Sequence, residues 1–299
     1  MKAFILRHKI STGLLGALLL FVSFALAYLN WMFEENGVTK VDSVAHHVGA
    51  KRVFAAFAHP DDEQLVTGVL YRASADAAIL TAAVTATKGE AGTPLPQISR
   101  LSDLGAIRKA EALKNTWALG VDHHEVLDFP DGGLQSIPLT KLTSAIRERM
   151  LRYKPGLVVT FWPESGFSGH ADHKKVGLAT ETLIRDLLAT PVDGYAGPSH
   201  IAYMLAPTRM MSRFAGDVGR SVVANQPLAN IAQDGEAWAK IRGWEIHASQ
   251  ADYVQHAYGL PPWLIHRLFD KEYYYLIETK DIPARINSNA GPIKTVTSP

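Results

Sequence analysis

The hydrophobic pattern changes character twice along the chain. Between Lys9 and Glu34 no residue is formally charged, and Leu, Ala, Phe and Val dominate 10–33 on every side of a helix. From residue 51 onward, short apolar runs alternate with stretches of helical period. These predict a strand at 53–58, a helix at 63–74, a strand at 78–86 and a turn-rich loop at 87–96. A long helix at 101–119, closed by Gly120, follows, then a short strand at 125–129 and the turn Pro130-Asp-Gly-Gly133. A helix at 139–152 stops at Lys154-Pro-Gly156, and 157–162 is an unbroken apolar strand of the kind buried on both faces. After the loop 163–169 another helix runs to about residue 189. Strands alternating with helices indicate an α/β fold with a doubly wound, mostly parallel, Rossmann-like sheet flanked by helices. Beyond residue 190 the pattern loosens, with a strand at 200–206, a helix at 230–248 and a last strand at 272–279. The aromatic-rich segment 256–268 fits a cleft lining, a membrane contact or a packed surface loop.

The span 10–33 follows Lys2, Arg7 and Lys9 and is long enough to cross a bilayer, which takes roughly 20 residues. A signal-peptide apolar region is shorter, about 7–15 residues, so the length favours an uncleaved anchor. Ala25-Leu-Ala27 nevertheless offers a cleavage site before Tyr28, which leaves export after cleavage as the alternative. The basic residues lie before the span, so the positive-inside rule places the rest of the chain outside the cytoplasm. The expected division is a signal anchor or signal peptide at 1–36, a linker at 37–50, a catalytic domain at 51–285 and a tail at 286–299.

Composition narrows the chemistry. Thirty Lys and Arg against 29 Asp and Glu give a net charge of +1, which supplies no electrostatic reason to expect nucleic acid. Cysteine is absent, so disulfides, thiolate ligands and a cysteine nucleophile are excluded, and any metal must be held by His and carboxylates.

The strand at 53–58 ends abruptly in His59-Pro-Asp-Asp-Glu63. A strand feeding a helix through a tight polar turn presents side chains at the carboxyl edge of an open sheet. His59 and Asp62 are spaced to share one ion, while Asp61 points elsewhere. Asp61 or Asp62 is also placed to cap the following helix, and Glu63 reads as a first-turn acid favoured by the helix dipole. The apolar strand at 157–162 leads in the same way to Gly169-His-Ala-Asp-His173, where His170 and His173 share a helical face. In a parallel sheet both turns lie at one edge. Two imidazoles and a carboxylate with an open position describe a catalytic metal site, which zinc or ferrous iron fits. Such a site hydrolyses amides or esters. His46, His47, His123, His124, His200, His247, His256 and His266 lack this context and read as ordinary surface or core residues.

Ala58-His-Pro-Asp-Asp-Glu63 together with Gly169-His-Ala-Asp-His173 resembles the PIG-L/LmbE family of zinc-dependent N-acetylglucosaminide deacetylases. Thr87-Lys-Gly-Glu90, Arg108, Glu111, Leu119-Gly-Val121, Asp131-Gly132 and His247-Ala-Ser-Gln250 add to the likeness, which covers roughly 52–250. The resemblance implies that His59, Asp62 and His173 bind zinc, that Asp61 is the general base, and that His170 is the general acid or oxyanion stabiliser. It further implies substrate contacts from Arg108 and Asp131, and Asp172 is placed to orient a histidine ring. The implied substrate is an N-acetylated amino sugar or glycoconjugate, with the N-terminal helix as membrane contact. An amidase of larger conjugates and a carbohydrate-binding protein without turnover are the rival readings. The latter has no need of Asp61. A nucleotide-binding protein of similar fold lacks its Gly-x-Gly-x-x-Gly turn after the first strand.

Overall fold

The computed structural model describes residues 2–283. The expected tail at 286–299 lies outside them. Eight strands form one sheet: β1 (Thr39–Lys40), β2 (Arg52–Phe57), β3 (Leu80–Thr87), β4 (His123–Phe129), β5 (Leu157–Phe161), β6 (His200–Leu205), β7 (Ile231–Asp234) and β8 (Lys271–Glu278), in the order β1-β7-β8-β6-β5-β2-β3-β4. Only β8 runs against its neighbours, so the sheet is mixed: seven strands share one direction.

β2 and β5 are adjacent at the centre, with Val53 opposite Leu157 and Ala55 opposite Val159. Both are buried along nearly their whole length, which explains their unbroken apolar sequences. Phe54, Phe57 and Phe161 are fully buried, each side chain contributing about 1.5–3 kcal/mol by leaving water. Helices Leu139–Tyr153 and Ala171–Ala189 pack on each other and on β2. The second approaches so closely that a Cβ on Gly177 would lie 2.4 Å from the Phe161 carbonyl oxygen, so only glycine fits at the crossing. The close approach sets His173, one turn earlier, against the end of β5.

The alternation expected from 53 to 189 appears with shifts of a few residues at the ends. The expected helix at 230–248 is instead β7 followed by helix Ala237–Ile246. Ile231, Ala232 and Gln233 are buried against β8, and the Asn230 side chain bonds both ways to the backbone of Leu276, so ladder pairing outweighs the helical pattern. The stretch 37–50, read as a linker, supplies edge strand β1 and places Val44 and Ala45 in the core. Its sequence is too short and mixed to reveal a strand that pairs with residues nearly 200 positions away. The aromatic-rich segment forms two short helices, Tyr253–Tyr258 and Pro262–Leu268; Val254, Ile265 and His266 line a cleft beside Gln64 and Phe167.

The N-terminal helix Lys2–Phe33 is long and apolar, and Leu14–Phe33 has the length and composition of a membrane span. Its exposed face carries Leu14, Leu18, Phe21 and Phe24. Its last turn docks on the body: Met32 is buried among Met210, Met211 and Val222, and Phe33 stacks on Phe269 with ring centroids 4.2 Å apart.

Candidate metal centre and active site

The turns after β2 and β5 meet at the carboxyl edge of the sheet, and the turn after β4 joins them. Asp62 does not cap a helix through its side chain. Its Oδ2 accepts the backbone N–H groups of Ala58 and His59 at 3.0 and 2.8 Å, which curls the turn onto itself. Asp61 likewise makes no cap bond; it sits in left-handed backbone, φ 94°. The turn continues as a 3-10 segment, Asp62–Val66, before the α-helix Thr67–Ser74. The capping expectation fails because the carboxylates are drawn into the site. Held left-handed backbone of this kind costs about 1–3 kcal/mol and is characteristic of functional turns.

Nδ1 of His59 lies 3.1 Å from Nε2 of His173. An Asp62 oxygen lies 3.8 Å from the first nitrogen and another 3.2 Å from the second. Outer partners fix the hydrogens. Nε2 of His59 faces Asp131 Oδ1 at 3.1 Å and Asp172 Oδ2 at 3.4 Å, and Nδ1 of His173 faces the Gly166 carbonyl at 2.9 Å. Those outer nitrogens therefore carry the hydrogens, leaving two imidazole lone pairs and a carboxylate aimed at one point. Ligands about 2.0–2.2 Å from a tetrahedral ion stand about 3.3–3.6 Å from one another, so the spacing suits a divalent cation. His59, Asp62 and His173 are all buried, and His173 also stacks on Phe161 with centroids 4.1 Å apart.

His59, Asp131 and Asp172 are also close enough to share an ion. Asp172, however, accepts the N–H groups of Gly132 and Leu134 at 2.8 and 3.1 Å, and Asp131 accepts that of Ala91 at 2.9 Å. These two carboxylates read as the outer support of His59. Asp131, expected to touch substrate, faces the His59 ring at 3.1 Å, and Asp172, expected to orient a histidine ring, lies 3.4 Å from the same nitrogen. Burial pushes the His59 imidazole down, but its hydrogen bonds to Asp131 and Asp172 outweigh it and raise the pKa to about 10, so an ion would bind at Nδ1 by displacing a proton. Burial opposes ionisation of Asp62, but the His173 and His59 rings hold its carboxyl well below the usual range.

Behind the turn lies a buried polar layer that the sequence did not reveal. Glu63 is not a solvated first-turn acid. It is fully buried, accepting from the Asp61 backbone at 3.0 Å, from Asn115 Nδ2 at 3.0 Å and from His247 Nε2 at 2.5 Å. His247, read as ordinary, is fully buried beneath it. The one signal in the sequence that links them is the His247-Ala-Ser-Gln250 element; Ser249 donates from both its N–H and hydroxyl to Glu111, at 2.9 and 2.6 Å. Arg108, expected to bind substrate, is buried and turned inward. It donates to the carbonyls of Gly89 and Pro60 at 2.8 and 2.7 Å and to Asp61 Oδ2 at 3.0 Å. Burial raises the Asp61 pKa, with Arg108 opposing and Asp62 reinforcing the shift.

His170 stands at the open side. It is exposed, and its Nδ1 accepts the Asp172 N–H at 3.2 Å, capping helix Ala171–Ala189 and leaving Nε2 as the protonated nitrogen. Its ring centroid is 4.7 Å from that of His59 and 5.0 Å from that of His173. Burial, then the charges of those two rings, lower its pKa.

The family described as PIG-L, GlcNAc-PI de-N-acetylase, matches residues 54–184. That stretch is similar to a PIG-L domain. It contains both histidine turns, and β6 to β8 lie beyond it. Among curated proteins, the chain is 30% identical over 175 residues to a 1D-myo-inositol 2-acetamido-2-deoxy-alpha-D-glucopyranoside deacetylase of Kineococcus radiotolerans, covering 49% of this chain and 47% of that protein. A protein of the same description from Thermobifida fusca is 26% identical over 271 residues, with 76% and 93% covered. The chain spans about half the length of the first of these relatives and most of the second. Among solved structures, an antimicrobial-reagent pseudoaglycone deacetylase superposes with a TM-score of 0.51 at 18% identity, covering 77% of this chain and 98% of that one. The 4-carboxy-2-hydroxymuconate hydratase of Pseudomonas putida superposes equally, at 0.51 and 15% identity, with 79% and 98% covered. These likenesses concern the fold alone. A deacetylase and a hydratase share it, so the fold by itself does not fix the chemistry of this site.

Proposed function

We propose that the protein is a membrane-anchored, metal-dependent hydrolase that removes the acetyl group from an N-acetylglucosamine-type sugar or glycoconjugate. The convergence of His59, Asp62 and His173 on one point carries this reading. The descriptions of the PIG-L family and of the curated relatives direct it toward acetamido sugars. A divalent ion at that point, zinc or ferrous iron, supplies an acidified water and an electrophile for the amide carbonyl.

The chain's own groups account for the proton transfers. Asp61, adjacent to the ligand turn and raised in pKa, takes the proton of the attacking water, and Arg108 and the Glu63 bond to its backbone fix its direction. His170, accessible and carrying its hydrogen at Nε2, stabilises the developing oxyanion, and Asp61 hands the proton it took from water to the departing amine. Water and amide are thereby converted to acetate and a free amino sugar. Asp131 and Asp172 keep the His59 ring in its ligating tautomer.

Purified full-length protein in detergent, assayed for bound metal and for acetate release from N-acetylglucosaminides with inositol, lipid and peptide aglycones, tests the reading. Acetate release that follows metal content supports it. A fully metal-loaded protein that releases acetate from none of these overturns it.

The membrane part of the reading rests on Leu14–Phe33 and the basic residues before it. The full-length protein is expected to stay with membranes through carbonate extraction. A mature protein beginning at Tyr28 would make the segment a cleaved signal instead, while retaining the docked Met32 and Phe33.

A further inference from the structure

We infer that the helical hairpin formed by Thr208–Phe214 and Gly216–Ala224 is a second membrane contact that inserts its tip into the bilayer interface beside the N-terminal helix. The inference rests on the reading of Leu14–Phe33 as a span. The two short helices are held tightly: a Cβ on Gly219 would fall 2.0 Å from the Met211 carbonyl oxygen, so the pair packs backbone to backbone. Their inner side, Met210, Met211 and Val222, closes over Met32 at the end of the N-terminal helix.

The polar contacts give the direction of the hairpin. Arg209 donates to the carbonyls of Trp31 and Glu34, while Arg213, one turn later, donates to the Tyr28 hydroxyl at 3.0 Å. Both guanidinium groups lie over the Trp31 ring, 4.8 and 5.1 Å from its centroid. From Arg209 to Arg213 the hairpin thus climbs back along the N-terminal helix from its end toward Tyr28. Tyr28 precedes Phe33 by five residues, about 7.5 Å at 1.5 Å per residue. The uncharged run 10–33 spans about 36 Å at 1.5 Å per residue against a hydrocarbon core of about 30 Å, which leaves Tyr28 at the hydrocarbon boundary and not clear of the membrane. The residues at the level of Tyr28 therefore enter the bilayer to roughly the 5–10 Å depth of interfacial helices.

The composition of the hairpin suits that depth. Phe214 is 67% exposed and Val218 59% exposed, two bare apolar side chains at the tip. Arg213 and Arg220 flank them, each already paired, Arg213 with the Tyr28 hydroxyl and Arg220 with the exposed Asp217, so the tip meets the interface through its apolar side chains and the stems of these arginines. The hairpin also touches the active site. Val218 and Val222 pack against Gly169, the residue before His170, so an inserted hairpin places the open side of the catalytic centre at the membrane surface. The occupant of this surface is a lipid bilayer, that of the N-terminal span.

The absence of cysteine makes the test direct. Phe24→Cys, Phe214→Cys, Val218→Cys and, as a soluble-face control, Trp117→Cys are each spin-labelled in the full-length protein. The proteins are placed in nanodiscs of phosphatidylcholine with 30 mol% phosphatidylglycerol as the chosen composition, roughly matching an anionic leaflet. Collision with oxygen is compared with collision with a water-soluble nickel chelate. The expected ranking has the label deepest at 24, at intermediate depth at 214 and 218, and aqueous at 117. Labels aqueous at 214 and 218 but deep at 24 would overturn the hairpin contact and leave the span intact. Aqueous labels at all four positions would overturn both.

Discussion

The turns after β2 and β5 each carry a histidine proposed as a metal ligand, and both follow a buried apolar strand, yet they are built in opposite ways. The first is enclosed from behind: Asp62 binds two amides of its own turn, Glu63 is locked between Asn115 and His247, and Arg108 pins Asp61. The second is supported from one side. His173 is held by Phe161 and the Gly166 carbonyl, while His170 stands exposed at the helix start and Phe167 takes a left-handed backbone, φ 63°. The difference separates tasks: an enclosed turn fixes the ligand and base geometry, and an open one gives substrate access to a hydrogen-bond donor.

The sharpest break in this contrast is Asp62→Ala. It removes a ligand together with the brace of its turn, and loss of stoichiometric metal and of turnover is expected by metal analysis and acetate release. Asp61→Asn is expected to keep its metal and lose about 10²–10⁴-fold in kcat, as for loss of a general base. Equal metal loss in both variants would erase the distinction between ligand and base. Asp131→Asn leaves every ligand in place but weakens the hold on His59, and a metal affinity lower by about 10–100-fold is expected by competition with a chelator.

The buried layer behind the first turn sharpens the comparison through stability. Removing one partner of a buried ion pair costs about 3–5 kcal/mol, so Glu63→Ala should lower the unfolding free energy by that amount, where His170→Ala, exposed, should cost only the roughly 0.5–2 kcal/mol of a lost helix cap. Burial lowers the His247 pKa, but the Glu63 charge outweighs it and the net shift is upward. Its contribution to stability is therefore fully present below the unfolded value of about 6.5 and is lost as pH rises through the raised folded value. Glu63→Ala should flatten that alkaline loss in a series of unfolding curves. An unchanged slope would mean that His247 is neutral in the fold.

The sequence by itself determined the two histidine turns, the apolar strands that deliver them and the helices between. Each is a local signal: an apolar run that ends in polar residues, and a helical period closed by glycine or proline. It also determined that any metal must be held by nitrogen and oxygen, since cysteine is absent. Only the tertiary structure decided which groups support those turns. Glu63 and His247 are 184 residues apart, and Asp131 meets His59 because β4 ends at the same sheet edge as β2. The same limit applies to β1 and β7, short strands whose pairing comes from distant partners and not from their own residues. Local pattern records the period of an element and the residues that end it. Pairings between distant segments depend on how the strands are ordered in the sheet, and neither short strand carries that order in its own residues.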